Sequence, residues 1–108
     1  RVEPSFVGQV IDRMMKVPDA ASVATIRYVE DLLGRRVGGS TGTNLWGAFQ
    51  IVSEMRQSRS RGSVVTLLCD GGERYANTYY DDSWVSAQDM DLNPCLERLN
   101  NFHRTGNW

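Results

Sequence analysis

Residues 63–69 (Ser-Val-Val-Thr-Leu-Leu-Cys) form a nearly unbroken apolar run, bounded by Gly62 and by Asp70-Gly71-Gly72. The run is short and β-branched at its start. It reads as the central strand of a parallel sheet with both faces covered by helices. It is far shorter than the ~18–20 apolar residues that span a bilayer.

Neighbouring segments supply the helices. Pro18-Asp19 is a helix start, because proline suits the first helical position and aspartate complements the dipole. From Ala20 to about Leu33, the apolar residues Val23, Ile26, Val29 and Leu33 step by three or four, and Gly34 is the natural stop. A second helix is predicted from about Thr43 to about Gln57, with the hydroxyls of Ser40-Thr41-Gly42-Thr43 available to cap it. Leu45, Phe49, Val52 and Met55 line one face, and Ala48 and Ile51 broaden it. Gly47 inside this helix costs about 1 kcal/mol relative to alanine, which predicts close packing against its backbone. Trp46 and Phe49 are expected in a core or a subunit interface. Short strands are predicted at Arg13–Val17 and Arg35–Gly39, and a turn or helix at residues 5–12. Glu73–Tyr80 reads as a turn and short helix, and Pro94–His103 as a helix. The β-α-β-α-β alternation implies a three-layer αβα piece of a mostly parallel sheet with right-handed crossovers.

Charge excludes some functions. The 12 Lys+Arg and 13 Asp+Glu nearly cancel, which argues against a nucleic-acid or anionic-membrane binder working through bulk charge. Arg56, Arg59 and Arg61 cluster without interleaved aromatics and read as a solvated helix end. The chain opens Arg1-Val2-Glu3-Pro4, with neither an initiator Met nor the basic and apolar stretches of a secretory signal. Two cysteines make no disulfide framework, so a reducing cytoplasm is expected. Cys69 reads as a buried small hydrophobe and His103 as a solvated helix-end residue. Two cysteines and one histidine are too few for a zinc site. Lys16 is the only lysine, so any chemistry needing an amine must use it or a lysine outside this chain.

In an open α/β sheet, ligands bind beyond the carboxyl ends of the strands. Gly38-Gly39-Ser40-Thr41-Gly42 and Cys69-Asp70-Gly71-Gly72-Glu73-Arg74-Tyr75 are both expected there, and both are glycine-rich. Neither is a P-loop, a dinucleotide fingerprint or a nucleophile elbow. On its own, such a glycine-rich helix start is more often plain turn chemistry than a ligand loop.

The two segments together carry more. Gly38-Gly-Ser-Thr-Gly-Thr-Asn-Leu-Trp-Gly-Ala48, followed after one helix by Gly62-Ser-Val-Val-Thr-Leu-Leu-Cys-Asp-Gly-Gly-Glu-Arg-Tyr75 and Thr78-Tyr-Tyr80, resembles the cysteine synthase family. These are the fold-type II pyridoxal-phosphate (PLP) enzymes, which include cystathionine β-synthase. The resemblance implies that residues 1–85 are the C-terminal part of such a catalytic domain and that residues 86–108 are a helical tail. It also implies that the Schiff-base lysine, the phosphate-cradling loop and the substrate-carboxylate loop lie upstream. The implied activity is β-replacement, with a sulfur nucleophile added to an O-activated serine. This chain would supply the floor of the cofactor site and no catalytic residue, and would not bind PLP alone. The implied partners are the N-terminal remainder, a second copy in a homodimer and a small amino-acid substrate, with no nucleic acid or membrane.

In the family, a hydroxyl from this region hydrogen-bonds the pyridine nitrogen. A neutral hydroxyl leaves the cofactor a milder electron sink than a carboxylate would. Many members place a serine where this chain has Gly71, and others use the serine that matches Ser40. Ser40 is therefore the expected partner, with Thr41 in reserve. Asp70 and Gly71 are expected beside the pocket, although Asp70 also fits an Asx turn before two glycines. A different class of reading, a non-catalytic α/β binding or regulatory module, stands beside this one.

Lys16 does not match the family's lysine motif. Adding PLP to this chain alone is expected to leave no borohydride-reducible adduct on Lys16. A visible band that maps to Lys16 after reduction would overturn the reading of the chain as part of a larger enzyme.

Overall fold

The computed structural model describes residues 13–69 and 71–108. The turn or helix expected at residues 5–12 and the candidate site residue Asp70 lie outside the described residues. Among the described residues, four α-helices and one 3-10 turn follow in order: α1 (Asp19–Leu33), α2 (Gly39–Ser58), the 3-10 turn (Glu73–Tyr75), α3 (Asp82–Ala87) and α4 (Asn93–Thr105).

α1 starts just after Pro18 and stops at Gly34, which takes the left-handed conformation (φ 69°) and donates its N–H to Glu30 O. It packs against both α2 and α4. Ala21, Val23, Ala24, Ile26, Tyr28 and Val29 are all buried, and Thr25 among them bonds its hydroxyl back to Ala21 O at 2.7 Å. Val37, Trp46, Val85, Leu92 and Leu99 complete the core. Ile26 and Leu99 are fully buried, and each contributes about 1.5–3 kcal/mol by leaving water.

The α1–α2 crossing depends on Gly42. A Cβ there would run into the main-chain carbonyl of Ser22 and into Ile26 Cγ2. The Ser22 and Thr43 hydroxyls bond each other across the same crossing at 2.6 Å. Gly47, further along α2, meets among the described residues the flexible end of Met15, whose Cε would lie 2.9 Å from a Cβ.

On the far side of α1, aromatic rings join α4 to α2. Phe49 stacks on Phe102 at 5.2 Å, and Trp46 meets Trp108 edge-on at 4.5 Å. Trp108 N–H donates to the hydroxyl of buried Ser53 at 2.8 Å. Tyr28 on α1 pairs its hydroxyl with His103 Nδ1 on α4 at 2.7 Å. Exposed His103 is therefore tied to the core as well as placed near a helix end. α3 was not foreseen from the sequence. Its start is capped by Asp81, whose carboxylate accepts from the N–H groups of Ser83 and Trp84.

The expected αβα sheet is overturned. Among the described residues there is no sheet, only an isolated antiparallel bridge between Val37 and Gly71. Residues 13–17 are irregular, and Arg13 ties them to α2 through Glu54 at 2.6 and 2.9 Å. The segment expected as the central strand is also irregular, with Val65 87%, Leu67 71% and Leu68 54% exposed. The reason is that a helix satisfies its backbone within itself, whereas a strand needs neighbours. A β-branched apolar run records only fitness for a pleated, half-buried surface, and no neighbouring strand is present among the described residues to provide one.

The one bridge is reinforced by a side chain. Val37 N–H donates to Tyr80 Oη at 3.0 Å, and Tyr80 Oη donates to Val37 O at 2.8 Å. A single phenol thus satisfies both main-chain groups of a residue that is 2% exposed. Arg36 lies 4.6 Å over the same ring. Burial, the largest cause, pushes the Tyr80 phenol up, while its bond to the Val37 main chain works in the opposite direction.

Two outcomes follow in denaturation experiments. Gly42→Ala should destabilise the fold by about 1–3 kcal/mol through backbone overlap, while Gly47→Ala should be neutral or stabilising by up to about 1 kcal/mol. Equal effects of the two would refute this account of the crossing. Tyr80 holds its proton more tightly when folded, so its contribution is complete below about pH 10 and is lost as pH rises through the raised pKa. Tyr80→Phe should cost about 1–3 kcal/mol at neutral pH and flatten the alkaline fall in stability; an unchanged alkaline slope would exclude the Tyr80 proton as its source.

Candidate functional site

The first turns of α1 and α2 meet the tyrosines around the 3-10 turn at a cleft of about 430 Å³. α1 contributes Asp19, Ser22 and Val23, and α2 contributes Gly39, Ser40 and Thr43. Tyr75, Tyr79, Trp84, Gln88 and Met90 close the opposite side.

α2 begins four residues earlier than the sequence suggested, so Ser40 lies inside its first turn and is not a cap. The cap position is Gly38, which makes no side-chain capping bond. Further along the turn, Thr43 Oγ1 donates back to Gly39 O at 3.2 Å. Ser40 is exposed, lines the cleft, and its hydroxyl makes no hydrogen bond among the described residues.

The other expected site residues are placed differently. Thr41 is fully buried, and its Oγ1 accepts from Cys69 N–H at 2.9 Å. Asn44 reaches Leu67 O at 3.4 Å, so the start of α2 holds the end of the 63–69 segment. Gly71 is exposed, bridges to Val37 and is absent from the cleft lining. A Cβ on Gly71 would come 2.5 Å from Glu73 Oε2. Of Ser40, Thr41 and Gly71, only Ser40 faces the cleft; Asp70 lies outside the described residues. Cys69 is exposed, contrary to its reading as a buried hydrophobe, because the segment carrying it is not enclosed in a sheet. Cys95 is half-buried, and burial pushes its thiol up, away from nucleophilic reactivity. Lys16 is exposed and is not among the residues lining the cleft.

The sequence reading missed the aromatic wall. Tyr75 and Tyr79 stack at 4.9 Å with their planes 12° apart, and Tyr79 meets Trp84 edge-on at 5.7 Å. Their spacing of four residues inside a segment read as turn and short helix was the available signal, since i and i+4 side chains share a face. Among the described residues, Asp19 is the only charged one in the lining, and no Lys or Arg lines it. The described part of the cleft therefore suits a flat ring whose polar edge accepts one hydroxyl bond, and offers no cation to a phosphate.

No family model matches the chain, and no solved structure matches it. Curated proteins do. The chain is 57% identical over 108 residues to a protein named L-cysteine desulfhydrase from Mycobacterium tuberculosis, covering 100% of this chain and 29% of that protein. It is 38% identical over 95 residues to a putative pyridoxal-phosphate dependent protein of Caenorhabditis elegans, covering 78% of this chain and 22% of that one. It is 34% identical over 86 residues to a putative cysteine synthase of Sinorhizobium fredii, with coverages of 80% and 24%. The chain spans less than a third of the length of each of these relatives.

Proposed function

This chain belongs to the cysteine synthase and cystathionine β-synthase family of pyridoxal-phosphate-dependent proteins, and we propose that it is the C-terminal part of an enzyme acting at the Cβ–sulfur bond of a cysteine-type amino acid. The observation that carries the proposal is the Ser40 hydroxyl, without a hydrogen-bond partner among the described residues, in a cleft walled by stacked aromatic rings. The names of the relatives support the chemistry from two directions. One is named for removing sulfide from cysteine, and another for making cysteine. Both concern the same bond. The 57% identity to the desulfhydrase favours cysteine breakdown, with β-replacement as the second reading.

The residues present fit one end of PLP. Ser40 Oγ can donate to the pyridine nitrogen, and the tyrosine rings offer an apolar wall. The phosphate end fits poorly, since Asp19 would repel it and no cation lines the cleft among the described residues. That end belongs to the remainder of the polypeptide. When bound, the cofactor supplies an electron sink for cleavage at Cβ. The contribution of this chain is electronic and steric. With the cofactor bound, Ser40 would keep its proton on Oγ and leave the ring nitrogen uncharged, and Tyr75 and Tyr79 would limit water on their side.

The remainder of the polypeptide also accounts for the exposed apolar residues. Val65, Leu67 and Leu68 lie on the surface together with Met14. We assign these side chains to contact with the missing part of the enzyme, because a run of large apolar residues this exposed marks an interaction site.

The test uses the full-length parent loaded with PLP. Ser40→Ala should shift the visible absorption of the cofactor and lower turnover by about tenfold, the equivalent of one neutral hydrogen bond. Ser40→Thr should retain most of both. A wild-type spectrum and rate in Ser40→Ala would remove Ser40 from the cofactor site. Sulfide released from L-cysteine, set against cysteine formed from an O-activated serine and sulfide, decides the direction of the reaction.

A further inference from the structure

We propose that Tyr79 is a positioning residue whose ring, seated on Gly39, sets where the Ser40 hydroxyl stands in the cleft. The proposal rests on the cofactor role given to Ser40 above. Gly39 is the first residue of α2 and directly precedes Ser40. A Cβ on Gly39 would lie 2.9 Å from Tyr79 Cε2, so the ring packs against the bare backbone at this point.

The first turn of a helix is the part least held by its own hydrogen bonds. The N–H groups of Gly39, Ser40 and Thr41 precede the first i→i−4 bond, and that bond, from Gly42 N–H to Gly38 O, is long at 3.3 Å. What packs against the turn therefore decides where it sits. Tyr79 is itself held from several sides. Its ring stacks on Tyr75 and meets Trp84 edge-on, and Arg74 lies 5.2 Å over Tyr75. Its main-chain carbonyl accepts from Arg27 Nε of α1 at 3.0 Å. Arg27 also pairs with Asp82 at the start of α3. The Tyr79 ring thus transmits the position of α1 and α3 to the residue beside Ser40. Its hydroxyl makes no hydrogen bond among the described residues, so the ring carries the role.

The experiment compares variants of the PLP-loaded full-length enzyme by visible absorption, turnover of L-cysteine and melting of the cofactor-free protein. Tyr79→Phe, which keeps the ring on Gly39, should shift the spectrum less than half as far as Tyr79→Leu. Tyr79→Leu should reproduce at least half of the spectral shift seen in Ser40→Ala, and the double variant should shift no further than Ser40→Ala alone. Gly39→Ala, which reaches the same contact from the other side and favours helix, should shift the spectrum in the same direction. If Ser40→Ala shifts the spectrum while Tyr79→Leu and Gly39→Ala change only melting, the positioning role is overturned and the Ser40 role survives. Additive shifts in the double variant likewise overturn it. If Ser40→Ala leaves the spectrum unchanged, both fall.

Discussion

The close crossing of α1 and α2 at Gly42 is the contact on which the rest of the structure depends. With no side chain there, the backbone of α2 approaches the Ser22 carbonyl and Ile26 directly. That approach buries α1 on one side, and α4 buries it on another through Leu99 and the pair between Tyr28 and His103. The same crossing fixes the relative place of the two helix starts, so it also shapes the cleft between Asp19 and Ser40. Core packing and site geometry thus share one constraint, and a change at Gly42 cannot alter one without the other.

The helices were legible because their signals are local. Apolar spacing, Pro18 and Gly34 placed α1 nearly to the residue. α2 began earlier than the capping hydroxyls suggested, because Gly38 occupies the cap position and Ser40 and Thr41 enter the helix. α3 was missed because it is only six residues long and too short to show periodicity, although the Asp81 cap was there to be read. The strands failed for the opposite reason. Pattern in a strand reports a partnership with distant backbone, and residues 63–69 carry the pattern without the partner. Their apolar side chains face solvent, which is the cost of separating such a run from its neighbours.

The site divides in the same way. Ser40 was legible as a hydroxyl at a glycine-rich helix start, and the structure sets it in a cleft. Thr41, one residue on, differs by about 100° of helical rotation and is spent on holding Cys69. No composition argument separates two adjacent hydroxyls, but a helical turn does. Tyr80 was invisible as a structural residue because its two bonds to Val37 span 43 residues. Family resemblance supplied the cofactor, while the aromatic wall came only from the coordinates.

The polarity of the cleft bears on the chemistry. A hydroxyl partner leaves a pyridine nitrogen uncharged, and that limits how much negative charge the ring can take up. A weaker sink suits elimination from Cβ, where the leaving group carries charge away, better than reactions that must store a full carbanion. In the role proposed for Ser40, this chain would tune down a cofactor that the family relationship supplies.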